Sequence, residues 1–194
     1  MFSPDVERAL RVAIEAHAGQ GRKGAPDEPY VIHPVHVAMM LARIGADDIV
    51  LQAALLHDVI EDCDGYDEAR LASDFGPRVA GIVAELTEDK SRSWAERKQA
   101  GIDAVARYTT EAAVVKAADK LHNLESMARA LAVAPDLEVF WSPFHGGRER
   151  TLEMSGRLVE ALSRRVAPKL ARALDAAYKR LIEVDRERAG APTC

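Results

Sequence analysis

The run His57-Asp58-Val59-Ile60-Glu61-Asp62 puts four ionisable side chains directly behind the apolar stretch Ala53-Ala54-Leu55-Leu56. On a helix, His57 and Glu61 stand four residues apart, as do Asp58 and Asp62, while Asp58 and Glu61 stand three apart. All four then share adjoining strips of one helix face. Burying that much charge with no cation costs on the order of several kcal/mol per group. Two readings fit the run: a solvated helix end with His57 satisfied by a neighbour, or a bound metal ion.

A second constellation, Lys116-Ala117-Ala118-Asp119-Lys120-Leu121-His122-Asn123, sets Asp119 and Asn123 one turn apart among Val114, Val115, Ala118, Leu121 and Leu124. Asp119 either completes a metal shell or pairs with Lys116 or Lys120. A third, Tyr30-Val31-Ile32-His33-Pro34, holds His33 at a helix start. An imidazole there either reaches across a site or serves as a surface or capping group. Taken together, His33, His57, Asp58 and Asp119 offer two imidazoles and two carboxylates from three helices. Such a set suits Mn²⁺, Fe²⁺ or Zn²⁺ better than Ca²⁺ and needs no thiolate.

The elements that must carry these residues read as helices. Ser3-Pro4 is a cap followed by proline at the first helical position, and an apolar stripe from Val6 to His17 runs until Gly19 stops it. Gly19 to Pro29 reads as a polar loop. A second helix is expected from Pro34 to about Gly45, and a third from Asp47 through Leu56 into His57-Asp58. A short helix follows from Asp67 to Phe75, closed by Gly76, and Pro77 opens another to Leu86. Ser93-Trp94-Ala95-Glu96 is a capping-box pattern ahead of a helix to Arg107. Thr110 to Leu131 is a long helix, and two more flank Pro168. No alternating run long enough for a substantial strand is present. The expected fold is all-α, one domain over residues 1–194, with residues 135–194 as additional C-terminal helices.

Composition narrows the function classes. The chain has 194 residues, with 26 Lys+Arg against 31 Asp+Glu and a formal net charge of −5. That balance argues against binding a nucleic-acid backbone, which needs a basic face. No apolar stretch reaches the ~18 residues of a membrane span, and the first residues do not read as a signal peptide. Two cysteines, Cys63 and Cys194, make no disulfide framework. The expectation is a cytoplasmic protein with no membrane and no nucleic-acid partner.

The sequence around the four candidate ligands is more specific than the ligands themselves. Their order, His, then His-Asp, then Asp, is the signature of the HD superfamily of metal-dependent phosphohydrolases. Gly19-Gln20-Gly21-Arg22-Lys23, Pro29 to Pro34, Ala53 to Asp62, Leu86 to Lys90, Glu96-Arg97-Lys98 and Val115 to Leu124 closely resemble the hydrolase domain of RelA/SpoT-type alarmone enzymes. The similarity covers about residues 5–130. With no room for the synthetase domain of the long enzymes, the chain looks like a stand-alone small alarmone hydrolase.

This resemblance implies an HD-type helical fold holding Mn²⁺, with Fe²⁺ or Zn²⁺ as alternatives, through His33, His57, Asp58 and Asp119. It implies that Glu61 and Asp62 position and deprotonate the attacking water. The implied substrate is the small nucleotide (p)ppGpp, cleaved at its 3′-diphosphate to give pyrophosphate and GDP or GTP. Arg22, Lys23, Asn123 and Ser126 are the expected substrate contacts, while Arg97 and Lys98 serve either phosphate or the helix surface. His17 and His122 are expected as packing or supporting residues, and Cys63 as inert. Glu125 and Ser126 stand where family members often carry Arg and Thr or Asp. A carboxylate at 125 beside the nucleotide would repel phosphate or alter base recognition. The same chemistry on (p)ppApp or on the 2′-phosphate of NADPH remains open at this level, as does a nucleotide-binding module without catalysis.

Overall fold

The computed structural model describes residues 3–22 and 25–190. Local signals place most of its helices. In α1 (Pro4–Ala16) the Ser3 hydroxyl accepts the Val6 N–H. Asp47 caps α3 (Asp48–Leu56), and Asp67 caps α5 (Glu68–Phe75) in the same way. Gly76, at φ +85°, closes α5 and leads into Pro77 at the start of α6 (Pro77–Leu86). Ser93 and Glu96 form the reciprocal capping box of α7 (Trp94–Ala104), which runs on as a 3₁₀ turn, Val105–Arg107. Thr109 caps the 24-residue α8 (Thr110–Val133). A short α9 (Leu137–Trp141), then α10 (Gly147–Ser163) and α11 (Pro168–Gly190) complete the chain.

Helix α8 is the axis of the molecule. It packs on α2 (Ile32–Ala42), α3, α6, α10 and most extensively on α11. Its buried face is rich in alanine, with Ala112, Ala113, Ala117 and Ala118 fully buried, so neighbouring backbones can approach closely. One contiguous apolar cluster joins Leu41, Leu56, Leu71, Leu124, Leu131, Leu162, Leu174 and Leu181. Arg148 Nε and Nη2 donate to both carboxylate oxygens of the buried Asp185, tying α10 to α11.

Two expectations change. The Gly19–Pro29 loop contains a small antiparallel pair, β1 (Gly21–Arg22) with β2 (Ala25–Pro29), with Gly21 opposite Pro29 and Arg22 opposite Ala25. Its residues are polar and the pair is short, so no apolar alternation announces it. The third helix does not continue through the charged run. It stops at Leu56, and a separate turn, α4 (Val59–Asp62), follows. The reason lies in His57, whose ring Nδ1 bonds to the Ala54 carbonyl at 2.8 Å. A continuing helix would give that acceptor to the Asp58 N–H. Asp58 instead takes φ −102°, ψ −4°, and the single helix face expected for residues 57–62 does not form.

Candidate active site

The break sends the two halves of the run in different directions. His57 and Asp58 turn inward toward His33, on the first turn of α2, and Asp119, midway along α8. His33 Nε2 lies 3.3 Å from His57 Nε2, 3.7 Å from Asp58 Oδ2 and 3.3 Å from Asp119 Oδ1. His57 Nε2 lies 3.1 Å from Asp58 Oδ2. Around an ion with bonds of about 2.1 Å, adjacent donors stand ~3.0 Å apart in octahedral and ~3.4 Å apart in tetrahedral geometry. Three of the four separations fall between those edges, and His33–Asp58, at 3.7 Å, lies beyond them. His33, His57 and Asp58 have ligand atoms all within 4.8 Å of one another, a group that does not include Asp119.

Hydrogen bonds behind the two imidazoles turn one ring nitrogen of each inward, while Asp58 Oδ2 and Asp119 Oδ1 also accept from Tyr30 and Asn123. The His57 Nδ1–H donates to the Ala54 carbonyl, which aims Nε2 inward. His33 Nδ1 lies 2.8 Å from His122 Nδ1. Burial, then the neighbouring His33, push the His122 imidazolium down to about 3, so that ring is neutral and can accept from His33. Two imidazoles and the Asp58 carboxylate converge here, with Asp119 reached from His33 and paired on its other oxygen with Lys116. Burial alone would lower the His57 pKa, but the Asp58 carboxylate outweighs burial and lifts it to about 9. His33 is lowered by burial, against the pull of Asp119. The donor chemistry therefore fits a divalent ion at His33, His57 and Asp58, with Asp119 beside them.

Glu61 and Asp62 face outward from that centre. Glu61 Oε2 accepts the Glu88 N–H at 3.2 Å, and burial raises its carboxyl above the usual range. Asp62 Oδ1 accepts from Lys90 Nζ at 2.6 Å. Both still line the same cleft, a cavity of about 1050 Å³ walled by α2, α7, α8 and α10. Arg22, Asn123 and Ser126 line it as well. Arg22 Nη2 donates to Asn123 Oδ1 at 3.0 Å, and the Asn123 amide nitrogen donates to Asp119. Asn123 thus links Arg22 to a metal-site carboxylate, so both ends of its amide are already engaged. Ser126 Oγ accepts from Arg129. Lys23 lies outside the described residues.

Glu125 does not enter the cleft. It reaches across to Arg180 of α11 at 3.8 Å, so the expected repulsion of a bound nucleotide does not arise. The residue lies on the α8 strip that packs against α11, a face that local spacing alone does not identify. His17 is buried, with Nδ1 2.8 Å from Gln20 Oε1 and its ring against Tyr30. Cys63 is half-buried near His17, and burial raises its thiol, consistent with an inert role.

Tyr30 and Ser155 had no role in the sequence reading, whereas Lys116 and Lys120 were offered there as partners of Asp119, and Lys116 is the one that pairs with it. The Tyr30 hydroxyl donates to Asp58 Oδ2 at 2.6 Å, and burial beside Asp58 raises its pKa steeply. Lys116 Nζ pairs with Asp119 Oδ2 at 3.1 Å. Lys120 Nζ donates to Ser155 Oγ of α10 at 2.8 Å, and burial lowers its pKa to about 8. Tyr30 stood in the quoted Pro29–Pro34 run and could have been singled out. Ser155 carries no local signal at all.

The chain belongs to the HD domain family, whose model matches residues 9–149. Among its relatives is guanosine-3′,5′-bis(diphosphate) 3′-pyrophosphohydrolase MESH1 of Danio rerio, 43% identical over 122 residues, covering 62% of this chain and 67% of that one. The Homo sapiens protein of the same name is 41% identical over 124 residues, 62% of this chain and 68% of that one. A structure described as a metazoan ortholog of SpoT that hydrolyzes ppGpp superposes with a TM-score of 0.77 and 33% identity, covering 92% of this chain and 96% of that one.

Proposed function

We propose that this chain is a (p)ppGpp 3′-pyrophosphohydrolase that uses Mn²⁺. The observation that carries the reading is the four-donor cluster at a cleft of nucleotide size and cationic lining, in a chain 43% identical to a hydrolase named for that substrate. A divalent ion at the cluster supplies Lewis acidity, bringing the pKa of a water from 15.7 toward about 7. Water adds to the phosphorus bonded to the ribose 3′ oxygen, the P–O3′ bond breaks, and pyrophosphate is released with GDP or GTP.

The chain's own groups cover the remaining tasks. Glu61, with its raised carboxyl and position on the cleft wall, accepts the proton of the attacking water. Asp62, held by Lys90, supports it from the same turn. Arg22 offers a guanidinium to phosphate or to the face of a base, and already lies 5.4 Å from the Tyr30 ring centroid. Asn123 and Ser126 line the substrate path beside it, and Lys23 is assigned with them by resemblance. The imidazole and carboxylate set accommodates Mn²⁺, Fe²⁺ or Zn²⁺, and Mn²⁺ is assigned by the resemblance. A cytoplasmic place of action suits a chain with two cysteines, and among the described residues no helix is long and apolar enough to cross a membrane. We read the chain as one domain.

The test is a product assay on metal-stripped protein, with and without Mn²⁺, offered ppGpp, ppApp and NADPH in parallel. Mn²⁺-dependent release of pyrophosphate from ppGpp is expected. No turnover of any of the three with metal demonstrably bound overturns the reading, and preference for ppApp or NADPH reassigns the substrate.

A further inference from the structure

The cleft has a second wall that the proposed mechanism leaves unused. The family model ends at residue 149, yet Thr151 and Ser155 of α10 line the cleft, one helical turn apart. Opposite them on α8 stands Lys120. Its neighbour one turn back, Lys116, is paired with Asp119, but Lys120 forms no ion pair among the described residues and donates only to the hydroxyl of Ser155. Ser155 is 4% exposed, and the buried Thr151 Oγ1 has no hydrogen-bond partner. A lysine placed in a cleft with a neutral partner, beside an unused hydroxyl, is an incomplete set. A buried donor left in that state costs stability unless something completes it.

What completes it is set by charge. On the same side of the cleft Glu88 serves both Arg97 and Lys98, and the buried Arg97 Nε has no hydrogen-bond partner. Counting Arg97, Lys98, Lys116 and Lys120 against Glu61, Glu88 and Asp119 leaves one cation in excess. Within this excess Lys120 feels the Asp119 and Glu88 carboxylates but forms an ion pair with neither, and its one hydrogen-bond partner among the described residues is the Ser155 hydroxyl.

We propose that Lys120, Ser155 and Thr151 form a phosphate subsite for a phosphate of the substrate other than the one attacked. The inference rests on the nucleotide-hydrolase reading above and adds the α10 wall to it. Lysine and two hydroxyls supply charge-assisted and neutral hydrogen bonds to terminal phosphate oxygens. Either the 5′-phosphates or the outer phosphate of the 3′-diphosphate can meet them, since the chemistry is shared.

The experiment uses the Mn²⁺-loaded chain and the variants Lys120→Met, Lys120→Arg and Thr151→Val. Steady-state constants are measured for ppGpp and for guanosine 3′-diphosphate with a 5′-hydroxyl. Inhibition constants are measured for guanosine 5′-diphosphate 3′-monophosphate. Lys120→Met is expected to raise KM for ppGpp about tenfold with a much smaller change in kcat, Lys120→Arg to recover most of that loss, and Thr151→Val to raise KM about threefold. A penalty much smaller for the 5′-hydroxyl substrate assigns the 5′-phosphates. A penalty kept there but much smaller for the 3′-monophosphate inhibitor assigns the outer 3′-phosphate. An unchanged KM for ppGpp, or the same penalty on all three ligands, overturns the subsite while leaving the hydrolase reading intact. A wild-type chain that releases no pyrophosphate from ppGpp overturns both.

Discussion

The phenol of Tyr30 donates to Asp58 Oδ2 at 2.6 Å, from the turn that immediately precedes the helix carrying His33. One short segment therefore supplies an imidazole donor and the group that orients a carboxylate donor. The Tyr30 ring also packs on His17 and lies edge-on to His33, so its own position is held from two sides. Partners of this kind behind metal ligands are commonly worth about 10–100-fold in metal affinity. Tyr30→Phe is expected to weaken Mn²⁺ binding by about that factor while the chain stays folded, read by metal titration alongside circular dichroism. Unchanged affinity would show that Asp58 is oriented by His57 alone.

Removing a donor has a larger effect. Asp58→Ala or His57→Ala takes one corner from a set whose other members then face each other as unshielded lone pairs and charge. Bound metal and turnover should be lost together, with less than about a hundredth of wild-type activity remaining. Metal content measured on purified protein checks this, and a variant that keeps stoichiometric metal would remove that residue from the set.

Glu61→Gln separates proton transfer from metal binding. Glu61 touches none of the four donors in hydrogen-bonding range and bonds instead to the Glu88 amide. The variant should keep its metal and lose about 10²–10⁴ in kcat. A base works only when ionised, and burial raises Glu61 above 4.5. The wild-type rate should thus fall as pH drops through a value above 4.5, and that acidic limb should vanish in the variant. Wild-type turnover by Glu61→Gln would remove the residue from the reaction.

Arg22 stands at the mouth of the cleft with its guanidinium already oriented by Asn123 and Tyr30. Arg22→Ala is expected to raise KM about tenfold and to change kcat far less, since the residue contacts none of the donors directly. An unaffected KM would end its assignment as a substrate contact.

The Arg148–Asp185 pair gives a prediction about stability alone. Asp185 is buried, while the Arg148 side chain is 38% exposed. Arg148→Met leaves the carboxylate without its hydrogen bonds from the guanidinium and should cost about 2–3 kcal/mol, below the ~3–5 kcal/mol of a fully buried pair. Urea unfolding reads the loss. Activity per folded molecule should stay near wild type, and a cost under about 0.5 kcal/mol would show that water reaches Asp185.

The two kinds of information divide along the range of the interactions involved. Ser3, Ser93 and the Gly76-Pro77 pair announce helix ends because a cap is made within three or four residues, and that geometry is present in the chain before it folds. Spacing inside apolar runs marked His33, His57, Asp58 and Asp119 as candidates, because burying such groups is costly, but it left a solvated helix end and a lysine pairing open, and the set was named by resemblance. The break at His57 was not legible, since a side chain displacing a main-chain donor at Ala54 looks like helix in any periodicity. Arg22 meets Asn123 across 101 residues, Glu125 turns to Arg180 rather than to the cleft, and α10 supplies a wall with Thr151 and Ser155. These placements follow from how α8 is gripped by α2, α10 and α11. Close packing admits one arrangement of those helices, and no local spacing encodes it.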